Sequence, residues 1–145
     1  MVGEVADVDQ VLPGAILLVS ANWPQRALIR AQIEADTGRD VVGADSAELA
    51  IQWLRDAAPA LVILDTQGLS PDPQLLEALG AQRTPLVLVT GPFDQARWAV
   101  AVADLEVRAT LVRPLFIGDL THTVRLALNP ATGLVTWGND GNVQG

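Results

Sequence analysis

The stretch AILLVSANWPQR, residues 15–26, decides the fold of this chain. Its first five residues form an unbroken apolar run, which is typical of a strand that is covered on both faces of a sheet. Asn22 and Pro24 then supply a cap and a first-turn proline, which predict that a helix begins there. A buried strand that runs straight into a helix is the repeating unit of an open α/β sheet. In such sheets ligands bind just outside the carboxyl ends of the strands.

The same alternation of a short apolar run and a helical pattern continues along the chain. Further strands are predicted at 40–44, 60–64, 85–89 and 110–112, and helices at 24–35, 45–57, 71–79 (ended by Gly80), 93–105 and from 117 to 128. Strands without polar alternation indicate a parallel sheet with helices on each side. We therefore expect an α/β domain over residues 15–128, a flexible arm at 1–14 and a Gly- and Asn-rich tail at 129–145 that is flexible or only locally folded.

Composition narrows the class of protein. The net charge is −8, from 17 acidic and 9 basic residues, and no base is a lysine. Because phosphate binding requires clustered bases, we expect no nucleic-acid binding. No apolar run is long enough for a membrane span, the N-terminus is too acidic for a secretory signal, and there are no cysteines. These features indicate a cytoplasmic protein, and the single histidine, His122, cannot form a histidine metal cluster.

Several polar residues follow the predicted strands directly. Ser20, Ala21 and Asn22 follow the first strand, Asp65 the third, Thr90 the fourth, and Arg113 with Pro114 the fifth. In a parallel sheet these ends point the same way, so one carboxylate, one hydroxyl and one cation are expected to surround a small pocket.

The chain from about residue 15 to residue 128 resembles, in these residues, the receiver domain of two-component response regulators. The resemblance implies a flavodoxin-like (βα)5 doubly wound sheet with strand order 2-1-3-4-5. It identifies Asp65 with the phosphoacceptor, Thr90 with the hydroxyl switch, and Arg113-Pro114 with a Lys-Pro pair whose cation has changed. It also implies a signalling module, not an enzyme, whose partners are a histidine kinase or another signalling protein.

The sequence departs from the receiver pattern where the metal-binding acidic pair belongs. Ser20 and Ala21 take those two positions, and Asn22 offers only an amide oxygen. Mg²⁺ prefers oxygen ligands that include carboxylates, and phosphoryl transfer depends on its charge. We therefore expect no cofactor, with Mg²⁺ binding weakly if at all at Asp65, weak or absent phosphorylation, and an ion pair between Asp65 and Arg113 at rest.

Two other functions stay open from the sequence. A conventional phosphorylatable receiver would require Asn22 and waters to rescue the metal site. A small-ligand-binding flavodoxin-like domain would require a phosphate loop, and the SANWPQR stretch has no glycine for one.

The predicted fourth helix is apolar nearly all round, which exceeds what the core requires. We expect the excess, Trp98 included, to be a partner surface, as receivers often form dimers through helix 4, strand 5 and helix 5. The alternative is that Trp98 packs against neighbouring parts of the protein.

Overall fold

The computed structural model describes residues 14–129 and contains five βα units. The strands are β1 (Ile16–Val19), β2 (Val41–Ala44), β3 (Leu61–Asp65), β4 (Leu86–Thr90) and β5 (Val107–Val112). The helices are α1 (Trp23–Thr37), α2 (Ala47–Asp56), α3 (Pro73–Gln82), α4 (Gln95–Ala101) and α5 (Ile117–Leu128). The predicted arm and tail lie, except for Gly14 and Asn129, outside the described residues.

All four strand pairings are parallel, and the sheet order is β2-β1-β3-β4-β5. This confirms the predicted α/β flavodoxin-like architecture and its 2-1-3-4-5 order. Because β1, β3 and β4 are interior strands, they are covered on both faces, which explains why their sequences are continuously apolar.

Alternate residues of each strand enter different cores. In β1, Leu17 and Val19 face a core closed by α2, α3 and α4, whereas Ile16 and Leu18 face a core closed by α1 and α5. All four side chains are fully buried. Two apolar layers thus fix the register of the sheet, since a slip by one residue would exchange the two faces of every strand.

Predicted boundaries of four elements differ from the structure. Helix α2 begins at Ala47 instead of residue 45, because the side chain of Ser46 caps it by accepting from the Leu49 backbone N–H. Helix α3 continues past Gly80 to Gln82, because Arg83 adopts the left-handed conformation (φ 54°) that ends it. Helix α4 is shorter than predicted, and β5 begins at Val107 instead of residue 110.

The expectation that Trp98 lies on a partner surface is wrong. Its side chain is 0% exposed and belongs to the core that α3 and α4 close over β4. The large apolar surface of the indole is therefore used within the core. The exposed apolar residues of this region are others, namely Phe93, Val100, Val112 and Phe116.

Candidate functional site

The polar residues predicted at the strand ends meet at the carboxyl edge of the sheet. Asp65 and Thr90 are the last residues of β3 and β4, and Arg113 directly follows β5. Ser20 directly follows β1, the other neighbour of β3. Ser20, Asp65 and Thr90 are all buried, with Asp65 only 2% exposed. Adjacent parallel strands bring the carboxylate, the hydroxyls and the cation into one small region, as the sequence predicts.

The Asp65 carboxylate has partners on both oxygens. Its Oδ1 accepts from Arg113 Nη1 at 2.6 Å and from the Gln67 backbone N–H at 3.2 Å. Its Oδ2 accepts from Ser20 Oγ at 3.2 Å. A buried carboxylate requires such hydrogen bonds and a nearby cation to remain charged. Asp65 and Arg113 therefore form the central ion pair of the site.

A second carboxylate, that of Asp94, lies on the other side of the guanidinium. Arg113 Nη2 is 4.0 Å from Asp94 Oδ2. Asp94 Oδ2 also accepts from Thr66 Oγ1 at 2.8 Å, and Oδ1 accepts from the Gly91 backbone N–H at 2.7 Å. Burial opposes ionisation of Asp94, but these two hydrogen bonds and the charge of Arg113 outweigh it and lower its pKa.

Asp94 is the site residue that sequence reasoning missed. An aspartate directly before a helix is expected to cap it. Asp94 occupies the N-cap position of α4 but makes no side-chain hydrogen bond to the helix. Its two oxygens are bound instead to Thr66 and Gly91. The available signal was the four-residue spacing of Asp94 from Thr90, which keeps it close to the end of β4.

Thr90 lies in the site without a bond from its hydroxyl. Its Oγ1 is buried and has no hydrogen-bond partner among residues 14–129. Its backbone carbonyl accepts from the Arg113 N–H at 2.7 Å, which ties the end of β4 to the residue that follows β5. The Arg113–Pro114 peptide bond is cis.

The residues at the acidic-pair positions are engaged in local structure. Asn22 Oδ1 accepts from the Gln25 backbone N–H at 3.2 Å, so this amide caps α1. Ser20 Oγ accepts from the Asn22 N–H at 3.3 Å while it donates to Asp65, and its carbonyl accepts from Arg26 Nη1 at 2.6 Å. Ala21 contributes no ligand. The loop after β1 is therefore held by its own hydrogen bonds.

This arrangement does not fit the Mg²⁺ ion that receiver domains bind. Within residues 14–129 no group of three or more His, Cys, Asp or Glu side chains could hold a metal ion. Asp65 is the remaining carboxylate at the expected place, and a guanidinium lies 2.6 Å from it. A divalent cation beside Arg113 would meet a like charge and too few carboxylate oxygens.

Comparison with known proteins supports the assignment of the fold. No protein-family model and no curated protein matches the sequence. Among solved structures, the receiver domain of NtrX from Brucella abortus is 29% identical, with a TM-score of 0.64 over 78% of this chain and 97% of that one. A response regulator receiver protein from Pseudomonas putida is 28% identical, with a TM-score of 0.66 over 78% of this chain and 96% of that one.

A third neighbour, a response regulator receiver domain protein from Clostridium thermocellum, is 22% identical with a TM-score of 0.66 and covers 82% of this chain and 97% of that one. The chain thus has the fold of response-regulator receiver domains. Receiver domains are signalling modules rather than enzymes, and the similarity supports a two-component signalling module. None of the helices within residues 14–129 has both the length and the apolar character needed to cross a membrane.

Proposed function

We propose that this chain is a receiver-type signalling module that acts through protein–protein contacts and that accepts a phosphoryl group at Asp65 weakly or not at all. The observation that carries the proposal is the ion pair between Arg113 Nη1 and Asp65 Oδ1, 2.6 Å apart, on a carboxylate that is 2% exposed. The role of Asp65 is then to anchor the pair, and Arg113 takes the place of both a metal and the usual lysine.

Phosphoryl transfer to a carboxylate brings two anionic groups together, so it needs positive charge placed on the phosphoryl oxygens. Here the cation that contacts Asp65, that of Arg113, is bound to the acceptor itself. An arginine can bind phosphate with two parallel hydrogen bonds. To do so, Arg113 would have to leave Asp65 and expose a buried carboxylate to an incoming anion. The absence of acids at Ser20 and Ala21 removes the metal that would offset this cost.

The expected partners are a histidine kinase or another signalling protein. Three large apolar side chains are exposed in this region and support a contact face there. They are Val100 on α4, Val112 on β5 and Phe116, which directly precedes α5. We propose this face as a homodimer surface, in place of Trp98. Sedimentation at increasing protein concentration tests it: Val112→Glu should abolish a dimer, and a wild-type chain that stays monomeric would reject the surface.

The chemical part of the proposal is tested with a small phosphodonor. The protein is incubated with acetyl phosphate over a range of Mg²⁺ concentrations, and covalent phosphate is measured by intact-protein mass spectrometry. A parallel titration with beryllofluoride reports binding of a phosphoryl mimic. We expect little labelling and no dependence on Mg²⁺. Clear, metal-dependent labelling that disappears in Asp65→Asn would show ordinary receiver chemistry and overturn the proposal.

A further inference from the structure

The loop between β4 and α4 is tied to the neighbouring strand ends by a single side chain, that of Asp94. One of its oxygens accepts from the Gly91 N–H within the loop, at 2.7 Å. The other accepts from Thr66 Oγ1, at 2.8 Å, and Thr66 directly follows β3. That same oxygen is 4.0 Å from Arg113 Nη2, which belongs to the residue after β5. One carboxylate thus connects three strand ends.

Gly91 provides the space for this arrangement. A Cβ at residue 91 would lie 3.0 Å from Arg113 Nη2 and 3.3 Å from Asp94 Oδ1. Contacts this short would force the guanidinium or the carboxylate to shift. Gly91 is itself buried and sits between the two groups, so the loop is shaped around the ion pair.

While it makes these contacts, the Asp94 side chain does not cap the helix that it precedes. Its position before α4 would allow the side chain to cap the helix, a contact that stabilises helices in general. The side chain makes no such bond. The side chain makes three other polar contacts, to Gly91, Thr66 and Arg113, and none to the helix, which indicates that it holds the loop rather than the helix.

We propose that Asp94, Thr66 and Arg113 form a permanent lock that holds the β4–α4 loop in one conformation without a phosphoryl group. The lock rests on the proposed function, because it holds the loop in a protein whose Asp65 carries no phosphoryl group. Arg113 is held by its ion pair with Asp65 at the end of β3. Asp94 links the β4–α4 loop, through Gly91, to Thr66, which follows β3. The position of α4 and of Phe93, which is 100% exposed in this loop, is then fixed by charge within the chain.

Local hydrogen exchange tests the lock. In Asp94→Ala the amide of Gly91 loses its acceptor, and we expect its exchange rate to rise at least about tenfold, the factor expected from loss of a hydrogen bond to a charged group. Thr66→Val keeps the shape of the side chain and removes the link to β3, so exchange in the loop should rise there too. Asp104→Ala, an exposed acidic residue just beyond α4, is the matched control and should leave the loop unchanged.

Amides of β1, such as that of Leu17, report global unfolding in the same samples and must stay protected. Unchanged Gly91 exchange in both Asp94→Ala and Thr66→Val would overturn the lock. If Asp94→Ala fails to fold, the Thr66→Val result decides alone. Acetyl phosphate labelling of the wild-type protein is measured separately: labelling would reject the proposed function, whereas unchanged exchange rejects only the lock.

Discussion

Replacing Arg113 by alanine isolates the energy of the central ion pair. Removing one partner of a buried pair costs about 3–5 kcal/mol, because the other charge stays buried without compensation. Two features reduce this figure here. The Arg113 side chain is 20% exposed, and Asp65 keeps its hydrogen bonds from Ser20 and Gln67. We therefore expect Arg113→Ala to lower the free energy of unfolding by about 2–3 kcal/mol.

For a chain of this length, each kcal/mol corresponds to about 2–4 °C in Tm, so the variant should melt roughly 5–10 °C below wild type. Urea unfolding followed by circular dichroism measures the free energy directly. Arg30→Ala is the matched control, since Arg30 pairs with Glu34 at 3.5 Å and their side chains are 52% and 37% exposed. An exposed pair of this kind contributes about 0.5 kcal/mol.

A double-mutant cycle separates the pair from the rest of the arginine side chain. Asp65→Asn removes the charge of the partner, so Arg113→Ala should cost less in that background by about 1–2 kcal/mol. Loss of stability in Arg113→Ala that does not exceed that of Arg30→Ala would refute the reasoning. So would a cycle in which the two substitutions add without coupling.

Three further predictions concern the same pocket. The triple variant with Ser20→Asp, Ala21→Asp and Arg113→Lys should gain Mg²⁺-dependent labelling by acetyl phosphate, because it restores two carboxylates and a compact cation. Gly91→Ala should destabilise the protein by about 1 kcal/mol in urea unfolding, since the added Cβ crowds the guanidinium. The pKa of Asp94 is lowered from 3.8, so its stabilising effect is complete above pH 3.8 and is lost as pH falls through the folded value. The stability difference between wild type and Asp94→Asn should accordingly shrink below that pH.

Each of these has a clear contrary outcome. A triple variant that folds but takes no label would show that the missing acids are not what limits phosphorylation. A Gly91→Ala variant as stable as wild type would show that the guanidinium is free to move at no cost. A stability difference that stays constant down to pH 3 would mean that the charge of Asp94 contributes nothing.

The sequence predicted the fold well because its interior strands carry an unmistakable pattern. β1, β3 and β4 are covered on both faces, so their residues are apolar without interruption up to the polar residues that end β3 and β4. The edge strand β5 was misjudged for the opposite reason. Only Ala109 among its residues is buried, and Arg108 interrupts the run, so its first half lacks the apolar signal that marks an interior strand.

Local rules failed where a tertiary contact overrides them. Gly80 was expected to end α3, yet the helix passes through it, ends at Gln82 and is capped by Arg83. Trp98 seemed surplus on an apolar helix, but α4 has only seven residues and its indole is core. Asp94 falls inside the predicted helix at 93–105, and one of its actual partners is remote in sequence: Thr66 is 28 residues away. No spacing rule within one element could reveal that contact.

The site residues at the strand ends were predictable because parallel topology alone brings them together. Asp65 and Arg113 are 48 residues apart in the chain, and only the strand order makes them neighbours. The sequence also identified the chemical departure, since missing acids at Ser20 and Ala21 are visible without a structure. The cap role of Asn22 was predictable as well. What the sequence could not provide is the direction of the hydrogen bonds around Asp65, such as the one that Ser20 Oγ donates to its Oδ2.

The short contact between Arg113 and Asp65 also has a kinetic meaning for any molecule that approaches the carboxylate. The guanidinium competes with an incoming phosphodonor for contact with Asp65. Because it is covalently part of the chain, its effective concentration there is at least about millimolar. A phosphodonor in solution competes against it at every encounter, and raising the donor concentration cannot dilute it. The response of such a site to a phosphodonor is set by the side chain that occupies it, so a partner that moved the guanidinium from Asp65 onto the phosphoryl oxygens would act as its activator.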